Sequence, residues 1–178
     1  LYPSKLITWY FHFSRKKKKK SLHTIAFYNL ENLFDTVDDP DTLDDDFTPK
    51  GFKKWTPKRY KKKIFKLANT ISKIGLESAE RALVGIAEVE NASVIEDLIN
   101  ADPLKDTDYG YVHYDSPDER GIDTGLLYQN EFFEVLFSEP IPLLVYNEEG
   151  IRDTTRDILY VYGKLNGETV HVFVNHWP

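Results

Sequence analysis

Cysteine and methionine are both absent from the 178 residues, and no apolar run approaches the ~20 residues that a membrane helix needs. Without cysteine there are no disulfides and no thiolate-held metal. Any bound cation must rest on Asp, Glu, Asn or His, a donor set that suits a hard ion such as Mg²⁺. Methionine is missing even at position 1. The sequence starts at Leu1, so the natural start is expected to be missing, processed or misread. The apolar stretch LITWYFHF (6–13) precedes a lysine run instead of following it. That order is the reverse of a secretory signal, so no recognisable signal peptide is read there and no compartment is assigned.

Charge is unevenly supplied. Residues 1–21 carry Lys5, Arg15 and Lys16 to Lys20 and no acid, and are read as a basic tail of uncertain origin, expected to be disordered. The body, 22–178, then holds 16 basic against 29 acidic residues, a net charge of −13. Such a body needs bound cations to approach a phosphate. Its length suits one domain with a real core.

The apolar pattern sets the order of elements. HTIAFYNL (23–30) opens as a buried strand, and the Asp-rich stretch 35–51 is a loop by composition. No window of that loop has the spacing of a calcium-binding EF-hand. Thr56 and Pro57 start a helix, Gly75 suits its stop, and Tyr60, Ile64, Leu67, Ile71 and Ile74 form its apolar face. The lysines from Lys58 to Lys63 read most simply as its wet side. ALVGIAEV (82–89) is a strand buried on both faces, and SVIEDLIN (93–100) a short helix. Strands follow at 109–116, 124–129 and 132–140. A hairpin over 157–165 and 169–175 turns at Asn166-Gly167. The class is α/β or α+β with a mixed sheet.

Polar residues gather where strands end: Asn29 and Glu31 after the first, Glu88 and Glu90 at the second, Asn175 and His176 at the last. Ligand sites collect outside strand carboxyl ends in open sheets with parallel strands. Carboxylate and amide oxygens converging there make a plausible Mg²⁺ site.

FYNLENLFD (27–35), DDDFTPKGFKKW (44–55), LVGIAEVEN (83–91), DSPDERGIDTGLLY (115–128), TTRDIL (154–159) and VFVNHWP (172–178) occur in this order. Together they resemble the endonuclease/exonuclease/phosphatase superfamily, and most closely its bacterial members with an NHWP signature. The resemblance implies a two-sheet β-sandwich flanked by helices, of which 22–178 supplies the first half, and Mg²⁺-dependent phosphodiester hydrolysis, with Mn²⁺ as an alternative ion. It implies Glu88 as the principal metal ligand and Asn29 beside the metal or its water. His176 becomes the catalytic histidine facing the phosphate, Asp123 an acid that orients it, and Arg156 and Asn175 phosphate contacts.

The partner implied is a phosphodiester, of which nucleic acid is one form. The family's Gly-Asp-Phe-Asn segment and Asp-His pair do not occur in this sequence. The chain is therefore expected to be inactive alone, and unstable or oligomeric, with one sheet left without its partner. Two other functions stay open: a phosphomonoesterase acting on a small or lipid phosphate, and a noncatalytic phosphate-binding module.

Overall fold

Thr56 starts the long helix as its sequence anticipates. Its backbone is extended, and its hydroxyl accepts the Arg59 N–H at 3.4 Å. Pro57 follows where its missing N–H costs nothing. This helix, α1 (Pro57–Ile71), buries Tyr60, Ile64, Leu67, Ala68 and Ile71. A left-handed Gly75 stands in the turns beyond it. The computed structural model describes residues 7–12, 22–75 and 80–177. Before α1 come β1 (Ile7–His12) and β2 (Leu22–Leu33), and after it β3 (Glu80–Val89), α2 (Ala92–Ile99), β4 (Tyr109–His113) and β5 (Asp123–Gln129). Then follow β6 (Phe133–Ile141), the short pair β7 (Val145–Tyr146) and β8 (Arg152–Asp153), β9 (Ile158–Leu165) and β10 (Glu168–Val174).

Two main sheets result. The first runs β1-β2-β3-β5-β4, with β2 and β3 parallel and the other neighbours antiparallel; the second runs β10-β9-β6, all antiparallel. Alternation along each strand sorts the apolar side chains into two cores. Ala26, Tyr28, Leu30, Val84, Ile86 and Leu127 face α1 and α2. Leu83 and Leu126, on the opposite face, meet Phe133, Leu159, Val161, Leu165 and Val174 of the second sheet. The layers are therefore helix, sheet, sheet.

Two expectations change. The first sheet is not left bare, because the second sheet covers it. The apolar exposure lies instead on the outer side of the second sheet, where half-exposed Phe137 and Phe173 flank Tyr160 at ring separations of 6.2 and 4.9 Å. Residues 7–12, within the segment read as a tail, form an edge strand paired to β2 from Ile7↔Phe27 to His12↔Leu22. The lysine run 16–20 lies outside the described residues.

The second sheet is tight where β6 meets β9. A Cβ on Gly163 would stand 2.4 Å from Phe133 Cζ and 2.5 Å from the Glu134 carbonyl oxygen. Gly163→Ala should cost about 1–3 kcal/mol in urea unfolding, because backbone has to move to admit the methyl.

Candidate active site

Regular alternation along β3 would turn Glu88 toward the helices with Val84 and Ile86. It does not point there. The register between β3 and β5 slips between Ala87 and Val89, and Glu88 takes φ of 60°. This bulge puts Val89 in the helix-side core and delivers Glu88 to the other face. The neighbouring strand irregularity matches. β2 slips against β3 between Asn29 and Leu33, with φ of 55° at Glu31 and 59° at Asn32. Non-glycine residues in this region cost of order 1–2 kcal/mol each. Three of them meeting at two parallel strand ends mark a place where geometry outranks stability.

The bulges bring the strand-end residues together. Asn29 Nδ2 donates to Glu88 Oε1 at 2.9 Å, and the Asn32 N–H donates to Oε2 at 2.8 Å. His176 Nε2 lies 3.3 Å from Glu88 Oε1 and 3.4 Å from Asn29 Nδ2. Its Nδ1 is buried without a hydrogen-bond partner, so Nε2–H is assigned as the donor to Glu88 from the partners present. The bond from His176, with help from Asn29 and Asn32, outweighs burial and holds Glu88 ionised, its pKa lowered to about 2. Asn29 Oδ1 accepts the Glu31 N–H at 2.7 Å. Asn29 therefore aims Glu88, and its amide oxygen is already engaged.

Behind these groups, Lys63 reaches from α1 to the carbonyls of Glu31 and Asn32, at 2.5 and 2.9 Å. Burial lowers its pKa to about 8 against the attraction of Glu31 and Glu88. Glu90 accepts the Asp35 N–H at 2.6 Å, yet burial and the nearby Asp35, Asp44 and Asp39 raise its pKa to about 7.

Arg156 is buried, and each of its three nitrogens makes a hydrogen bond inside the protein. Nε donates to the His176 carbonyl at 2.8 Å, Nη2 to the Trp177 carbonyl at 2.8 Å, and Nη1 to Asp118 Oδ2 at 3.0 Å. It fixes the backbone that carries His176. Asp123 is likewise committed elsewhere. Oδ2 lies 3.0 Å from His113 Nε2, and Oδ1 accepts from the Ser116 N–H at 2.9 Å. His113 Nδ1 faces Asp115 at 3.9 Å. Among the described residues these three, His113, Asp115 and Asp123, form a cluster able to hold a metal. Asn175 is half-buried, and its Nδ2 donates to the Phe173 carbonyl of its own strand at 3.4 Å.

The structure thus joins Asn29, Glu88 and His176, ties Arg156 to the histidine's carbonyl, and pairs Asp123 with His113 and Ser116. Asn32, Lys63, Asp118 and His113 were not anticipated. Asn32 and Lys63 act through backbone groups, and the others find partners across loops, so no spacing announces them.

A model of the endonuclease/exonuclease/phosphatase family matches residues 24–178. The chain belongs to this family. Endonuclease/exonuclease/phosphatase members hydrolyse phosphodiester or phosphate esters. No curated protein matches the chain. Among solved structures, humanized D. rerio TDP2 carrying 14 mutations is 15% identical, with a TM-score of 0.46, over 84% of this chain and 44% of its own. The family protein from Bacteroides vulgatus is 16% identical at TM-score 0.47, over 85% and 50%. That from Leptotrichia buccalis is 13% identical at 0.46, over 70% and 50%. The chain spans about half the length of these solved chains.

Two outcomes are expected. Arg156→Ala leaves Asp118 Oδ2 without its partner, Arg120 holding only Oδ1, and frees two carbonyls; it should cost about 3 kcal/mol in denaturant unfolding. For Glu90 the folded pKa, about 7, lies above the ordinary 4.5. Its stabilising contribution is present below pH 4.5 and is lost as pH rises through 7. In chelator, Glu90→Gln should therefore raise Tm by about 2–4 °C at pH 8 and leave it unchanged near pH 4.5.

Proposed function

We propose that Asn29, Glu88 and His176 serve a divalent-cation-dependent phosphodiester hydrolase, with Mg²⁺ as the first choice of ion. The observation that carries this reading is the approach of His176 Nε2 to an ionised Glu88 at 3.3 Å. The donor chemistry fits the ion. Glu88 offers anionic oxygen at a partly open strand end, and Mg²⁺ commonly takes one or two protein carboxylates, completing its shell with waters and phosphate oxygens. Glu88 would hold the cation, and Asn29 and Asn32 would keep its carboxylate aimed.

When bound, such a cation polarises a phosphoryl oxygen or stabilises a departing alkoxide. His176, as an imidazolium, would exchange its bond to Glu88 for one to the leaving oxygen and give up the Nε2 proton there, returning to neutral imidazole, while a water forms the new bond to phosphorus. Asn175, at the same strand end, is assigned to a phosphate oxygen. Arg156 is assigned a positioning role through the His176 carbonyl. Asp123 acts at one further remove: by fixing Ser116 it steadies the loop whose Asp118 holds Arg156.

Hydrolysis is proposed for the whole protein, and little turnover is expected from these 178 residues alone. The test compares Mn²⁺ binding by calorimetry with hydrolysis of bis(p-nitrophenyl) phosphate by the full-length protein. Glu88→Gln should weaken the metal by at least about tenfold and remove the hydrolysis. Undiminished hydrolysis by that variant would overturn the reading. Metal-independent phosphate binding that ignores Glu88→Gln would favour a noncatalytic module.

A further inference from the structure

The acidic body hides a local reversal of charge. Ten of its sixteen basic residues lie between Lys50 and Lys73, and no Asp or Glu occurs from Phe47 to Leu76. Lys50, Lys53, Lys54, Lys58, Arg59, Lys61, Lys62 and Lys66 are all exposed. A solvated helix face ordinarily mixes both signs, because like charges at i, i+4 destabilise it. This face carries one sign only.

The stripe leads to the candidate site. Arg59 and Lys63, one turn apart, both lie 5.5 Å from the centre of the Trp55 ring, and Lys63 continues to the carbonyls of Glu31 and Asn32. At the other end, the loop before α1 is braced. Trp55 N–H bonds the Thr48 carbonyl at 2.9 Å, Lys53 N–H the Asp46 carbonyl at 3.0 Å, and Arg59 the carbonyls of Lys53 and Lys54. This fixed loop holds Phe52 81% exposed, with the Lys53 ammonium 5.9 Å from its ring centre. An apolar ring presented on a fixed loop among cations suits stacking on a base whose phosphates those cations neutralise.

We infer that loop 50–54 and the outer face of α1 dock a single-stranded nucleic acid and lead its backbone to the strand ends that carry Glu88 and His176. The partner is chosen by charge complementarity and by Phe52, since an anionic surface without bases gives the ring nothing to stack on. As a substrate surface the inference rests on the phosphodiesterase reading above; as a binding surface it is tested without it.

The experiment is fluorescence anisotropy of the full-length protein in chelator, with a labelled oligothymidylate, a mixed-sequence duplex, and vesicles of phosphatidylserine and phosphatidylcholine, across a salt series. Combined Lys53→Ala, Lys58→Ala and Lys62→Ala should lower the slope of log affinity against log salt by about two for the single strand. Phe52→Ala should weaken the single strand about tenfold and leave the duplex unchanged. Lys105→Ala with Lys164→Ala, away from the stripe, should change neither. All these side chains are exposed, so melting temperatures should match wild type, and Gln at the three lysine positions should reproduce the slope.

An unchanged slope in the triple variant overturns the inference. So does an unaffected single strand with Phe52→Ala, or tighter binding to the vesicles than to the oligothymidylate. Hydrolysis measured beside binding separates the two claims. Oligothymidylate binding intact without any hydrolysis in wild type would sink the hydrolase and keep the surface, whereas hydrolysis with no effect at Phe52 or the lysines would do the reverse.

Discussion

The left-handed backbone at Glu88 is the constraint on which the candidate site depends. A carboxylate on a regular β3 would enter the helix-side core, where burial without a partner would be prohibitive. One extra residue reverses its direction and spends strain to do so. The strain persists because its surroundings define it from several sides. Asn29 and the Asn32 N–H hold both oxygens of Glu88, and Lys63 holds the carbonyls of the companion turn in β2. Strand, turn and helix are thereby locked together by polar groups at the one edge where apolar packing has ended.

The histidine is held by different means. Its side chain meets Glu88, but its backbone hangs from Arg156, whose charge is matched inside the protein by Asp118. A buried pair of this kind adds little net stability, and removing either member is costly. Its use here is geometric. It joins the end of β10 to the loop between β4 and β5, which Asp123 fixes in turn through Ser116 and His113. Residues separated by long stretches of chain therefore set the position of one imidazole.

Much of the architecture was legible in the sequence. The cap, the proline and the 3-and-4 spacing specify α1. Asn166 and Gly167 specify the β9–β10 hairpin, and both take positive φ, 49° and 84°. Glu88, Asn29 and His176 stood out as polar residues closing apolar strands. The bulge was not legible, since alternation reads the same until one residue too many appears. Nor were the partners of the charged residues: Arg156 suggested a phosphate contact, and the bonds it makes to Asp118 and to the carbonyls of His176 and Trp177 left no trace in the sequence, which shows a charge and not what neutralises it. The second sheet was undervalued for a related reason. Its strands expose aromatics on one side, so their apolar content could not tell an inner face from an outer one.

The one-signed stripe along α1 has an electrical consequence for the molecule. Outside residues 50–73 the body carries 29 acidic residues against six basic ones, so its centres of positive and negative charge are displaced from each other. Such a body has a dipole moment anchored to a rigid helix, and a field exerts torque on it as well as force. In the field of a polyanion it would turn before it touched, presenting the helix first even while its net charge resisted the approach.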